Sequence, residues 1–195
     1  IGSGLVGSEM CIRDRYWQVL PVGPTIFGDS PYQPSSGCAG NIYFIDLDKL
    51  VDEGLLEKEE ILGYNWGTDE SEIDYAALHQ NRCKILQKAF ERFDTNAQEF
   101  QDFVKKQSEW LEQYALFMTL KADNLYKNWS EWPSEYRNPQ AVALEKYQKK
   151  NYNTITFWKF CQYKFFEQWE DLKNYANSKG IYIIGCLLYT SDAAD

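Results

Sequence analysis

Phe157-Trp158-Lys159-Phe160-Cys161-Gln162-Tyr163-Lys164-Phe165-Phe166-Glu167-Gln168-Trp169, then Gly180-Ile181-Tyr182-Ile183-Ile184-Gly185, is the stretch from which the architecture is read. Its aromatic residues fall on too many sides of a 3.6-residue turn to form one stripe. The helix predicted over residues 154–178 is therefore buried on more than one face. Asn153 or Thr154 stands where its start is capped, and Gly180 where it ends in the left-handed conformation. Residues 181–185 then read as a short apolar strand. Trp17-Gln18-Val19-Leu20-Pro21-Val22, stopped by Gly23 and Pro24, predicts a buried strand that enters a loop. Strand, long excursion, helix, strand is a βα pattern with an inserted helical part. It predicts an α/β fold, either a β/α barrel or an open sheet.

The excursion begins with residues 23–41, which are rich in Gly, Pro and Ser. A loop of that length in a compact domain often carries function. Residues 42–45 form a second apolar patch. Asp46 is placed to cap a short helix over 47–53, closed by Gly54. Residues 57–74 read as acidic and irregular, and Ser71 with Asp74 resembles a capping box before a helix over 75–93. Leu78, Leu86, Ala89, Phe90 and Phe93 share one face of it. A single helix is predicted over 97–121, where Phe100, Phe103, Val104, Trp110, Leu111, Tyr114, Phe117 and Met118 recur at spacings of three and four. Residues 128–139, with Trp129, Trp132, Pro133 and Pro139, read as a loop or broken turn, and 140–150 as a further helix.

The chain has 195 residues and a net charge of −9, which argues against a nucleic-acid partner because such proteins present a basic face. No apolar run approaches the roughly 20 residues that cross a bilayer, so no membrane partner is expected. Seven Trp and 14 Tyr are many for this length. Most belong in a core, but aromatic faces also stack on sugars. Cys38, Cys83 and Cys161 are scattered, with no CxxC pattern and no cluster of histidines. They predict a reducing, cytoplasmic setting, no metal and no cofactor. His79, at a predicted helix start, reads as a surface or capping residue rather than a catalyst.

Residues 1–15 and 186–195 resemble in-frame translations of sequencing-library adapters, one at each end. The native segment is therefore expected to be 16–185, and the ends are set aside as one sets aside a fusion scar.

Three blocks carry a resemblance. Leu20-Pro21-Val22-Gly23-Pro24-Thr25, Phe27-Gly28-Asp29-Ser30-Pro31-Tyr32-Gln33 and Ala39-Gly40-Asn41 make the first. Tyr114–Lys121 with Trp129-Ser130-Glu131-Trp132-Pro133 makes the second. Phe165–Trp169 with Gly180–Gly185 makes the third. In this order they resemble the amylomaltases, the 4-α-glucanotransferases of glycoside hydrolase family seventy-seven. The resemblance implies a partial (β/α)8 TIM barrel with a large helical insertion, with sites at the C-terminal ends of strands. It implies transfer of α-1,4-glucan segments between maltooligosaccharides by a retaining double displacement. It also implies that the catalytic carboxylates follow Gly185, so none is assigned here. Asp46, Asp48 and Glu53 are read as helix-cap or surface charge.

By the same resemblance, Tyr32 stacks on the sugar beside the cleaved bond. Ser30 and Gln33 hydrogen-bond next to it, and Asp29 contacts sugar hydroxyls or shapes the turn. Phe27 matches a second glucan-binding platform. Ile42 departs from the pattern, standing where the family commonly has proline. Pro34 restricts Gln33 to extended conformations. The alternative reading, a helical interaction module without activity, accounts for the amphipathic helices but not for the loop over 23–41. A partial barrel also leaves strand edges and apolar helix faces uncovered.

Overall fold

The computed structural model of the chain describes residues 15–25, 30–67, 72–138 and 141–186. Strand β1 (Tyr16–Gln18) pairs in parallel with β2 (Tyr182–Ile184), in the register Tyr16 to Tyr182, Trp17 to Ile183 and Gln18 to Ile184. Tyr182 N–H donates to the Arg15 carbonyl at 2.7 Å, and Val19 N–H to the Ile184 carbonyl at 3.0 Å. A parallel pair cannot be closed by a hairpin and needs a long crossover. Here the crossover is the whole helical excursion, as the βα pattern predicts.

Between the strands run α1 (Leu47–Asp52), α2 (Lys58–Leu62), α3 (Tyr75–Arg92), α4 (Gln98–Lys106), α5 (Ser108–Asp123), α6 (Ser134–Arg137), α7 (Ala141–Lys150) and α8 (Tyr152–Ser178). Short 3-10 turns occupy Ile42–Phe44 and Trp129–Glu131. Helix α8 is the axis of the body and packs against α3, α4, α5 and α7. Its residues Ile155, Phe157, Trp158, Phe160, Cys161 and Phe165 are all buried, so the expectation of burial on several faces holds. They share one core with Ile45, Leu50, Ile85, Leu86, Phe100 and Ala115. Rings just after α3 and in α4 interlock with α8, as in Phe93 against Phe160 at 4.8 Å and Phe100 against Tyr163 at 5.6 Å. Burial of such rings is the main source of stability here, at roughly 1.5–3 kcal/mol for each large apolar side chain.

Several local expectations are met. Asp46 caps α1 by accepting from Asp48 N–H at 2.9 Å, and Gly54 (φ +73°) follows in the left-handed region. Gly180 (φ +74°) does the same after α8.

Others are corrected. The acidic stretch 57–74 contains α2, whose start is held by Glu57 N–H donating to Glu60 Oε2 and Glu60 N–H donating to the Glu57 carbonyl, both at 3.0 Å. Asp74 is itself the N-cap of α3, accepting from Ala77 N–H at 2.9 Å, and Ser71 lies outside the described residues. The helix expected over 97–121 is two, broken at Gln107 (φ −100°, ψ 11°) with no Pro or Gly to announce it. The loop or broken turn expected over 128–139 has its 3-10 turn at Trp129–Glu131 but also contains the short helix α6. Asn151, not Asn153 or Thr154, precedes α8, and its side chain makes no cap. The strand expected to be buried is not: Tyr16 is 64% and Trp17 53% exposed, and the partner Tyr182 is 53% exposed. A strand inside a parallel sheet is covered on both faces. Among the described residues these two strands pair only with each other.

Candidate functional site

The loop leaving β1 is closed at its base. Asn41 N–H donates to the Val22 carbonyl at 2.9 Å, and Ser35 N–H to the Pro24 carbonyl at 3.3 Å. Gly23 faces Pro34 so closely that a Cβ on it would stand 3.2 Å from the proline Cβ. Ser30 Oγ accepts from Tyr32 N–H at 3.3 Å, and Ser36 Oγ accepts from Cys38 N–H and Ala39 N–H, both at 3.2 Å. These short hydroxyl-to-backbone bonds are how Ser-rich loops hold turns without a ladder.

The structure brings Ser30, Tyr32 and Gln33 together on one turn. Tyr32 presents its ring to solvent at 56% exposure, Gln33 is exposed, and Ser30 is half-buried with its O–H still able to donate. Asp29 and Phe27 lie outside the described residues. Asp46 and Asp48 are engaged at the start of α1, and Glu53 pairs with Lys164 of α8 at 2.6 Å. Asp46 is thus the helix cap that was expected, whereas Glu53, read as helix-cap or surface charge, is the partner of a buried lysine. His79 is exposed on α3 and sits edge-on to Tyr126 at 5.1 Å.

Residues 40–46 carry the loop into α1 and are neither strand nor α-helix, yet Gly40, Asn41 and Ile45 are buried. Buried backbone polar groups there must find partners. Side chains of α3 and α8 supply them. Gly40 N–H donates to Gln162 Oε1 at 2.8 Å, and Gln162 Nε2 donates to the Gly40 carbonyl at 3.0 Å. Gln168 repeats the pattern on Asp46, at 2.7 and 3.1 Å. Arg82 of α3 donates to the carbonyls of Ile42 (3.1 Å), Tyr43 (2.9 Å) and Ile45. Burial lowers the pKa of its guanidinium to about 10, which still leaves it charged at neutral pH. The pairs Gly40–Gln162, Asp46–Gln168 and Lys49–Asp171 are each separated by 122 residues, so this segment runs alongside α8 in constant register.

Sequence reasoning passed over Gln162, Gln168 and Arg82. The usable signal was a polar residue on a helix predicted to be buried all round, since such a side chain needs a partner.

Three cavities flank the loop. One of about 210 Å³, lined by Thr25, Ser35, Asn41, His79, Tyr126 and Trp158, lies between the loop, α3, α5 and α8. Burial raises the Cys83 thiol and the Tyr126 hydroxyl there above their usual values. A cleft of about 180 Å³ lies under Gly23, Pro34 and Gly40, against Phe165 and Trp169. The largest, about 630 Å³, is an apolar groove along the C-terminal half of α8, beside Val22, Phe44 and Leu172. Tyr32 and Gln33 line none of the three. Among the described residues no three His, Cys, Asp or Glu side chains converge as a metal site, and no helix is long and apolar enough to cross a membrane.

A family model described as 4-alpha-glucanotransferase matches residues 9–191. The 4-alpha-glucanotransferase of Clostridium butyricum is 41% identical over 172 residues, covering 88% of this chain and 35% of the relative. That of Streptococcus pneumoniae is 44% identical over 178 residues, covering 89% and 35%. Among solved structures, an amylomaltase from Streptococcus agalactiae in complex with acarbose superposes with a TM-score of 0.82 at 37% identity, over 88% of this chain and 35% of that one. The chain thus spans about a third of the length of these relatives. With the loop, the parallel strand pair and the helical crossover all inside the matched region, the chain belongs to the 4-alpha-glucanotransferase family.

Proposed function

We propose that residues 16–185, left when the two adapter-like ends are set aside, are part of a cytoplasmic 4-α-glucanotransferase that moves α-1,4-glucan segments between maltooligosaccharides. The observation that carries the proposal is the exposed ring of Tyr32, held on a turn whose base is closed by Asn41 and Val22. An exposed aromatic ring on a braced turn suits stacking on an apolar sugar face. Gln33 and the Ser30 hydroxyl stand beside it for hydrogen bonds to sugar hydroxyls. Asp29 and Phe27 complete the set by the family resemblance, the latter as a second glucan platform.

The loop leaves the C-terminal end of β1, where a (β/α)8 barrel keeps its site. In the retaining reaction one carboxylate attacks the anomeric carbon, and a carboxylic acid protonates the leaving oxygen. That second group then activates an acceptor hydroxyl. Those carboxylates belong to the part of the enzyme after Gly185. The residues described here contribute binding: they hold the donor sugar in line and keep water from taking the acceptor's place.

The test is Tyr32→Ala and Tyr32→Phe in the full-length enzyme, read as kcat/KM for maltotriose disproportionation. Loss of a stacking contact worth about 1.5 kcal/mol lowers the rate about tenfold. Tyr32→Phe keeps the ring and should keep most of the activity. Unchanged disproportionation in Tyr32→Ala would sink the assignment.

A further inference from the structure

We propose that Gln162 is a positioning residue for the turn that bears Tyr32, so that the helical insertion serves as the rest on which the sugar-contacting loop is set; this depends on the reading of Tyr32 given above. Gln162 is fully buried, and both of its polar atoms are used on the backbone of a single residue, Gly40. A primary amide facing one N–H and one C=O of the same residue fits in one orientation only. It therefore sets position as well as satisfying the backbone.

Gly40 adjoins Asn41, whose N–H closes the loop on Val22. Phe165 packs directly beneath Gly40, and Pro34 against Gly23. The loop base is thus located by α8, while among the described residues around Tyr32 the turn shows a local bond, Tyr32 N–H to Ser30 Oγ. A shift of the base is carried to the ring. Displacements of about 1 Å in a substrate-positioning group are enough to cost rate heavily.

Gln168 supplies an internal control. It makes the same pair of bonds from the same helix, six residues and about 9 Å further along, but to Asp46 at the start of α1. A purely structural role predicts that the two glutamines behave alike. Positioning predicts that they do not.

The experiment uses the full-length enzyme, with thermal transitions recorded beside maltotriose disproportionation. Gln162→Met and Gln168→Met should both lower Tm, but only Gln162→Met should lower kcat/KM, by about tenfold. In the Gln162→Met background, Tyr32→Ala should cost much less than it does alone, because the misplaced ring no longer contributes. Should Gln162→Met fail to fold, Gln162→Asn removes the reach to Gly40 while leaving room for a bridging water, and the same pattern is expected. Equal effects of the Gln162 and Gln168 variants on activity, or losses at Gln162 and Tyr32 that simply multiply, would overturn the inference. If Tyr32→Ala alone leaves activity intact, the Tyr32 reading fails and the inference falls with it. If Tyr32→Ala is impaired but the couplings are absent, only the positioning role fails.

Discussion

Gly40→Ala is a severe substitution, and for a steric reason. A Cβ on Gly40 would stand 1.9 Å from Phe165 Cδ1, 2.1 Å from Cε1 and 2.4 Å from Cγ. Carbon atoms in contact lie roughly 3.5–4.0 Å apart, so the ring would have to retreat by about 1.5 Å. Phe165 borders the cleft under Gly40 and the groove along α8, so a retreat is possible only by breaking its packing on its neighbours. Phe165 is buried, edge-on to Phe166 at 5.2 Å and stacked over Trp169 at 6.5 Å. Nor can the backbone move easily, since Gln162 holds both polar groups of Gly40. The cost therefore falls at the upper end of overpacking, about 3 kcal/mol. For a chain of this size that is a fall of about 6–12 °C in Tm, read by far-UV circular dichroism. Gly54 is the contrast: nothing lies within 4 Å of its added Cβ, but its φ is +73°. Gly54→Ala should cost only about 1–2 kcal/mol for the left-handed backbone, and Gly54→Asn less. At Gly40 the order reverses, Asn being worse than Ala. Phe165→Leu should recover part of the Gly40→Ala loss. A Gly40→Ala protein within about 2 °C of the unmutated chain, or one not helped by Phe165→Leu, would refute the steric argument.

Three further outcomes are expected. Arg92 hydrogen-bonds Glu60 at 2.6 and 3.0 Å, and with the Glu57 backbone amide it holds that carboxyl down at about pKa 2. A lowered folded-state pKa gives stability that is present above the ordinary value of 4.5 and lost as pH falls towards 2. Tm against pH should therefore drop through that window, and less steeply in Glu60→Gln. Lys164 is buried between Glu53 (2.6 Å) and Glu167 (2.7 Å), under the rings of Phe93 and Tyr163. Lys164→Met keeps the stem but strands two half-exposed carboxylates, at about 1–2 kcal/mol by urea unfolding, and no change in midpoint would contradict this. Of Cys38, Cys83 and Cys161, only Cys38 is exposed, while burial raises the other two thiols. An alkylating reagent at neutral pH should label Cys38 first and Cys161 only on unfolding, with peptide mass mapping as the check.

The helices α1, α3 and α8, the glycines after α1 and α8 and the Asp46 cap were legible because each rests on local chemistry within a few residues. What escaped was set by partners distant in sequence or by residues whose local preference was silent. Gln107 is a good helix former, so nothing near it forecasts the break between α4 and α5; both helices are instead turned to pack on α8. Helix α2 was hidden because its glutamates read as solvated charge, although glutamate suits a helix start. The assignment of Tyr32 and its neighbours rests on family resemblance alone: an exposed tyrosine on a Pro-Ser turn has no pattern of its own. The support for that turn was in the sequence in another form. A helix predicted to be buried on several faces nonetheless carries Gln162, Lys164 and Gln168, and each is buried and each finds a partner more than a hundred residues away. Polar side chains tolerated in such a place announce that a partner is required without naming it. The constant separation of 122 residues lets one helix hold the loop end and the start of α1 together.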